Sequence, residues 1–134
     1  MSVSSPHPFP THSWLIAGTP IILASKSASR RAILDGALVN YLSVPANIDE
    51  LAIRSSCEAE KISPEDIAAI LAEMKAQYVA QSQTNALVIG SDQILVCDGR
   101  ILGKPSTREE ASETLHFLQG KSHQLFTSVV IFKF

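Results

Sequence analysis

Four apolar residues, Ile21-Ile22-Leu23-Ala24, run without a linker into Ser25-Lys26-Ser27-Ala28-Ser29-Arg30-Arg31. An unbroken apolar stretch of this length reads as a buried strand of the parallel type, and the segment after it suits a helix. Ser25 or Ser27 can cap that helix, whose first-turn amides lack internal partners. Lys26, Arg30 and Arg31 then add full positive charges where the helix dipole is already positive. A serine-capped surface helix with solvated arginines is the simpler account. Basic residues nevertheless prefer the other end of a helix, so their position suggests an anionic ligand such as a phosphate group.

The rest of the chain alternates strand and helix signals. Ser27 to Gly36 reads as the first helix and Tyr41 to Ala46 as a second strand, followed by the acids Asp49 and Glu50 at a strand end, where open α/β sheets place ligand chemistry. Arg54 to Lys61 is polar and is expected to be irregular. Ser63-Pro64-Glu65-Asp66 is a helix start, and Ile67, Ile70, Leu71, Met74 and Tyr78 continue at helical spacing to about Gln81 or Gln83. Lys75 falls at the edge of that stripe, where a snorkelling lysine is ordinary.

Ala86 to Ser91 reads as a buried strand that delivers Asp92 and Gln93 to the carboxyl edge of the sheet. Ile94 to Cys97, Asp98-Gly99 and Arg100 to Leu102 form a hairpin signature that returns Gly103-Lys104-Pro105 toward the same edge. Thr107 to Glu110 is a capping box opening a helix that ends at Gly120, with His116 expected at its surface. His123 to Phe134 alternates through Leu125, Val129 and Ile131 as a final strand.

With 134 residues, 46% hydrophobic and 18% charged, the chain suits one globular domain and not a disordered one. Its net charge of −2 offers no global field for nucleic acid, so phosphate chemistry must rest on local charge. Cys57 and Cys97 lack metal-ligand spacing and read as reduced, cytosolic thiols. Residues 1–20 carry an apolar run too short for a signal sequence or a membrane span; the expectation is a poorly ordered leader, with the domain over 21–134 and a cytoplasmic location.

Cations for phosphates, with carboxylates for a divalent metal and an attacking water, are the parts of nucleotide phosphoanhydride hydrolysis. In this order along the chain they resemble the Maf family of nucleoside triphosphate pyrophosphatases. The resemblance rests on Leu23-Ala24-Ser25-x-Ser27 with Arg30-Arg31, Leu71-Ala72-x-x-Lys75-Ala76, Ile89-Gly90-Ser91-Asp92-Gln93 and Leu102-Gly103-Lys104-Pro105. Glu110-Ala111, Leu118-x-Gly120 and Thr127 fit the same pattern. It implies a mixed twisted sheet flanked by helices, of the inosine-triphosphatase-like type, that cleaves a nucleoside triphosphate to its monophosphate and pyrophosphate. Asp92 would then be proton acceptor or metal carboxylate, with Glu50 assisting at a Mg2+ or Mn2+ ion. Ser25, Ser27, Arg30, Lys75 and Lys104 would hold the triphosphate, with Arg31 a weaker member. The resemblance also makes Ser29 and Gln93 specificity positions. Glutamine after the aspartate resembles the 7-methylguanosine triphosphate branch, whereas Ser29 and Ala28 depart from the usual residues.

Family members continue past the strand that ends this sequence into a second half, none of which follows Phe134. The expected consequence is an uncovered apolar patch and an open strand edge, both pointing to a dimer. Two other functions stand beside the enzyme: a truncated, catalytically impaired nucleotide-binding remnant, and an interaction protein of cell division or septum formation. The geometry required of the enzyme is an Asp92 side chain close to Ser25, Arg30 and Lys104 and not aimed into the interior.

Overall fold

The computed structural model describes residues 18–133; of the leader expected over residues 1–20, residues 1–17 lie outside them, while the Pro20 carbonyl accepts from the Leu87 N–H at 2.9 Å. Nine elements follow in order: β1 (Ile21–Leu23), α1 (Ala28–Gly36), β2 (Leu42–Ser43), α2 (Glu50–Ala59), α3 (Pro64–Ala80), β3 (Leu87–Cys97), β4 (Arg100–Leu102), α4 (Arg108–Leu118) and β5 (Gln124–Lys133). The sheet is mixed. β1 runs parallel to β2 and to β3, while β4 and β5 are antiparallel to β3.

The central strand β3 is longer than its sequence suggested. The reading that ended it at Ser91 and left Asp92 beyond it is corrected: Asp92 sits in mid-strand, opposite Ser128 of β5. β5 lines one edge of β3 from Leu87 to Val96. The other edge is shared by two short strands, with β1 pairing only Leu87 to Ile89 and β4 only Leu95 to Cys97. Between them, residues 90–94 of β3 have no strand partner on that side among the described residues. The edge where β1 ends is thus made inside β3's length, and Asp92 lies in it. The hairpin turn is as read: Asp98 and Gly99 both have positive φ, at 49° and 71°, as a two-residue turn matched to strand twist requires.

Helix α3 covers one face of the sheet. It opens as the sequence predicts, with the Ser63 hydroxyl accepting from the Asp66 N–H at 3.2 Å and Pro64 in the first turn. Its buried stripe differs from the expected one, comprising Ile67, Ala68, Leu71, Ala72, Lys75, Ala76, Val79 and Ala80, while Met74 and Tyr78 face outward. Size decides this. The helix approaches β3 so closely that a Cβ on Gly90 would lie 2.1 Å from the Ala72 carbonyl oxygen and 2.9 Å from the Ala76 Cβ, so alanines must face the strand. Ile22, Val79 and Val88 pack at one end of this layer, and Ile67, Leu71, Ile94 and Cys57 at the other. Each fully buried aliphatic side chain contributes about 1.5–3 kcal/mol.

Residues 54–59, expected to be irregular, lie in α2. Its cap is Asp49, whose Oδ1 accepts from the Ala52 N–H at 3.1 Å, so the acids read as following a strand end are a helix start. Ile53 and Cys57, four apart, turn it onto the core. Helix α4 begins at a Thr107 cap, but the reciprocal bond of the capping box is displaced by one residue. The Ser106 N–H and hydroxyl both donate to Glu110 Oε2 at 2.8 Å and hold that carboxyl below the ordinary glutamate range. α4 buries no residue; Phe117 is gripped by Arg100 and Lys121 at 4.5 and 3.8 Å from its ring centre.

Candidate functional site

Two polar clusters meet at the gap in β3. The first is built on α3, α2 and β3. Lys75, 5% exposed, reaches past its helix to place Nζ 2.8 Å from Asp92 Oδ1, 2.7 Å from Glu50 Oε1 and 3.3 Å from the Ser91 carbonyl oxygen. It is therefore not a snorkelling surface lysine. The residue lies in the buried stripe of α3, and its ammonium satisfies three acceptors in a setting largely shielded from water. Asp92 is also buried, at 7% exposed, on the α3 face of the strand, whereas the Glu50 side chain is half exposed at 52%. Glu50 is thus the member that opens the cluster to solvent.

The second cluster is the turn between β1 and α1. Ser27 caps α1, accepting from the Arg30 N–H at 3.4 Å, and shares a 3.0 Å hydrogen bond with the Ser29 hydroxyl. Ser25 Oγ accepts from the Ser27 N–H at 3.1 Å and from Arg30 Nη1 at 3.4 Å, while its carbonyl accepts from the Ser43 hydroxyl. No acid occupies the first turn of α1. The Ala24 N–H donates to the Ile89 carbonyl, and the β1–β3 register carried forward brings Ser25 level with Ser91, beside Asp92.

The remaining predicted residues stand apart from these clusters. Lys104 is exposed, two residues past β4; carried on, the β3–β4 register would bring it level with Gln93. Arg31 is exposed on α1. Gln93 follows Asp92 on the strand and so projects from the opposite face, where its amide donates to Thr127 Oγ1 at 2.8 Å. Among the described residues no hydrogen bond or ion pair joins Asp92 directly to Ser25, Arg30 or Lys104. The carboxylate and the turn are neighbours in the sheet, but Asp92 points inward under α3, against the expected placement, and among the described residues Lys75 is the only cation that touches it.

Sequence reasoning missed Arg54. One turn beyond Glu50 on α2, its guanidinium lies against Gly103, where an added Cβ would be 3.3 Å from Nη2 and 3.4 Å from Nη1. Its Nε is buried without a hydrogen-bond partner, a state that costs about 1–3 kcal/mol. The four-residue spacing from Glu50 was the available signal, lost once that segment was read as irregular.

The donor set can be tested against a divalent cation. Glu50 and Asp92 both offer hard oxygen ligands of the kind Mg2+ and Mn2+ take, but the point on which Oε1 and Oδ1 converge already holds the Lys75 ammonium, so an ion would have to use their other oxygens. No group of three His, Cys, Asp or Glu converges among the described residues, so the pair alone does not complete a coordination sphere. An ion there would need further oxygens from outside the protein, of the kind a phosphate supplies.

A mixed sheet with one helical layer, a cationic strand-to-helix turn and a buried carboxylate–lysine cluster define an α/β protein with charged and polar side chains gathered along one sheet edge. Residues 20–134 match the Maf-like protein family, and the chain belongs to it. It is 42% identical over 111 residues to the nucleoside triphosphate pyrophosphatase of Pelagibacter ubique, covering 83% of this chain and 57% of that one. The nucleoside triphosphate pyrophosphatase 1 of Jannaschia sp. is 44% identical over 113 residues, covering 84% of this chain and 57% of its own. The 7-methyl-GTP pyrophosphatase of Idiomarina loihiensis is 45% identical over 115 residues, covering 84% and 55%. The chain spans a little over half the length of these relatives.

Proposed function

We propose that this chain carries the phosphate-handling part of a nucleoside triphosphate pyrophosphatase, which hydrolyses the bond between the α and β phosphates of a nucleotide to release pyrophosphate. The observation that carries this is the Lys75 ammonium set between Glu50 and Asp92, beside a turn whose cations and free amides suit a polyphosphate. Water attacks the α phosphorus, its proton passes to the Asp92 carboxylate, and the bridging oxygen departs with pyrophosphate. Lys75 engages Asp92 Oδ1 and fixes the carboxylate's orientation. Ser25, Ser27, Arg30 and Lys104 neutralise and align the phosphate chain. A Mg2+ or Mn2+ ion held by Glu50 and Asp92 would add charge neutralisation at the phosphates.

A 7-methylguanosine base is the proposed preference, supported by Gln93 and by relatives named 7-methyl-GTP pyrophosphatase. Gln93 projects from the face opposite Asp92, so base and phosphates would straddle β3 at its unpartnered edge. Two free, buried cysteines support a reducing, cytoplasmic setting, and among the described residues no helix is long and apolar enough to cross a membrane. The test is pyrophosphate release from a panel of canonical and 7-methylated nucleotides with Mg2+ or Mn2+. Release is expected to fall about 100- to 10,000-fold in Asp92→Asn. Equal release by wild type and variant rejects the proposal.

A further inference from the structure

We propose that Arg54 is a further substrate-binding residue, whose guanidinium grips the polyphosphate chain from the α2 side of the gap in β3. This role presupposes the polyphosphate substrate proposed above. Arg54 follows Glu50 by four residues, so both project from one face of α2, and Glu50 is the exposed arm of the Lys75–Asp92 cluster. In most helices such a pair would neutralise itself. Here the Glu50 carboxylate is engaged by Lys75 at 2.7 Å, and among the described residues no acid lies within ion-pair distance of Arg54. The cation is half-buried, its Nε is shut off without an acceptor, and its fork rests on the backbone of Gly103, beside Lys104.

A guanidinium with no counter-ion among the described residues, one helical turn from Glu50 and lying against Gly103, is suited to a ligand that brings its own negative oxygens. A phosphate offers acceptors in the geometry of the fork, and a small shift of the side chain gives the orphaned Nε its missing partner. Gly103 fits this role. A side chain there would press on the terminal nitrogens from 3.3 Å, whereas glycine leaves the fork against bare backbone.

The experiment is calorimetric titration of the protein with inorganic tripolyphosphate, alongside pyrophosphate release from nucleotide and a thermal melt without ligand. Arg54→Gln should weaken tripolyphosphate binding about 10- to 100-fold without lowering the ligand-free melting temperature, since the orphaned Nε is removed. Arg54→Lys should fall between the two, keeping the charge but losing the fork. Should Arg54→Gln fail to fold, Arg54→Lys and Gly103→Ala decide, each expected to bind more weakly than wild type. Wild-type affinity in the variants overturns the role of Arg54 even if nucleotide hydrolysis is intact. Absence of tripolyphosphate binding by the wild type overturns it together with the hydrolase. Binding that depends on Arg54 without pyrophosphate release upholds the role of Arg54 and rejects the hydrolase.

Discussion

Lys75 carries more of the site than any other side chain, and its burial makes it structural as well as chemical. Removing one partner of a buried ion pair leaves the other charged and unsolvated, which costs more than the pair contributes. Lys75→Met should therefore destabilise the fold by about 3–5 kcal/mol, because the 7%-exposed Asp92 keeps its charge without a counter-ion. A Lys75→Met/Asp92→Leu double variant should regain a large part of that loss. Urea unfolding of the two proteins checks the difference, and additive losses would show that the pair is not coupled. Asp92 and Lys75 were both legible in the sequence as chemistry-bearing residues, but not as partners. Their contact depends on Lys75 facing the sheet, and helical periodicity placed it at the edge of a stripe centred on Met74.

At the scale of elements, what periodicity misjudged is decided by close approach. Apolar content pointed to Ile67, Ile70, Leu71, Met74 and Tyr78 as the buried side of α3; the first three do pack inward, but the sheet selects alanines over Met74 and Tyr78 because β3 passes under the helix at Gly90. The hairpin and the caps of α1, α3 and α4 were legible, since each rests on local chemistry. α2 was not, because its polar middle hides the Ile53–Cys57 spacing that turns it to the core. The same confusion placed Asp92 past the end of a strand: the run Ala86 to Ser91 is apolar, but β3 continues as long as β5 supplies partners. Gly90→Ala tests the close approach. An added Cβ 2.1 Å from a backbone oxygen forces the helix from the strand, so a loss of about 1–3 kcal/mol or more is expected in thermal or urea unfolding. A neutral substitution would mean that α3 and β3 part without cost.

For the molecule as a whole, one sheet face is packed and the other is open. Along β5, Phe126, Val130 and Phe132 turn toward α3, while Leu125, Val129 and Ile131 are 54%, 62% and 66% exposed. The alternation legible in the sequence was therefore that of the outward face. Burial could not be read from it because both faces are apolar. Among the described residues β5 pairs only with β3, so its far edge also offers unpaired backbone groups. Ile33 of α1 and Leu115 of α4, 70% and 67% exposed, add apolar surface on elements that bury no residue of their own. A surface of this kind favours association, and the expected form in isolation is a homodimer or larger assembly that hides the β5 face. Val129→Lys/Ile131→Lys should shift sedimentation toward the monomer by placing charge on that face and beside the open edge. Melting temperature should hold, because neither side chain contributes to the α3 core. A wild-type chain that sediments as a monomer at all concentrations, or a double variant that associates unchanged, would remove the outward face as the contact.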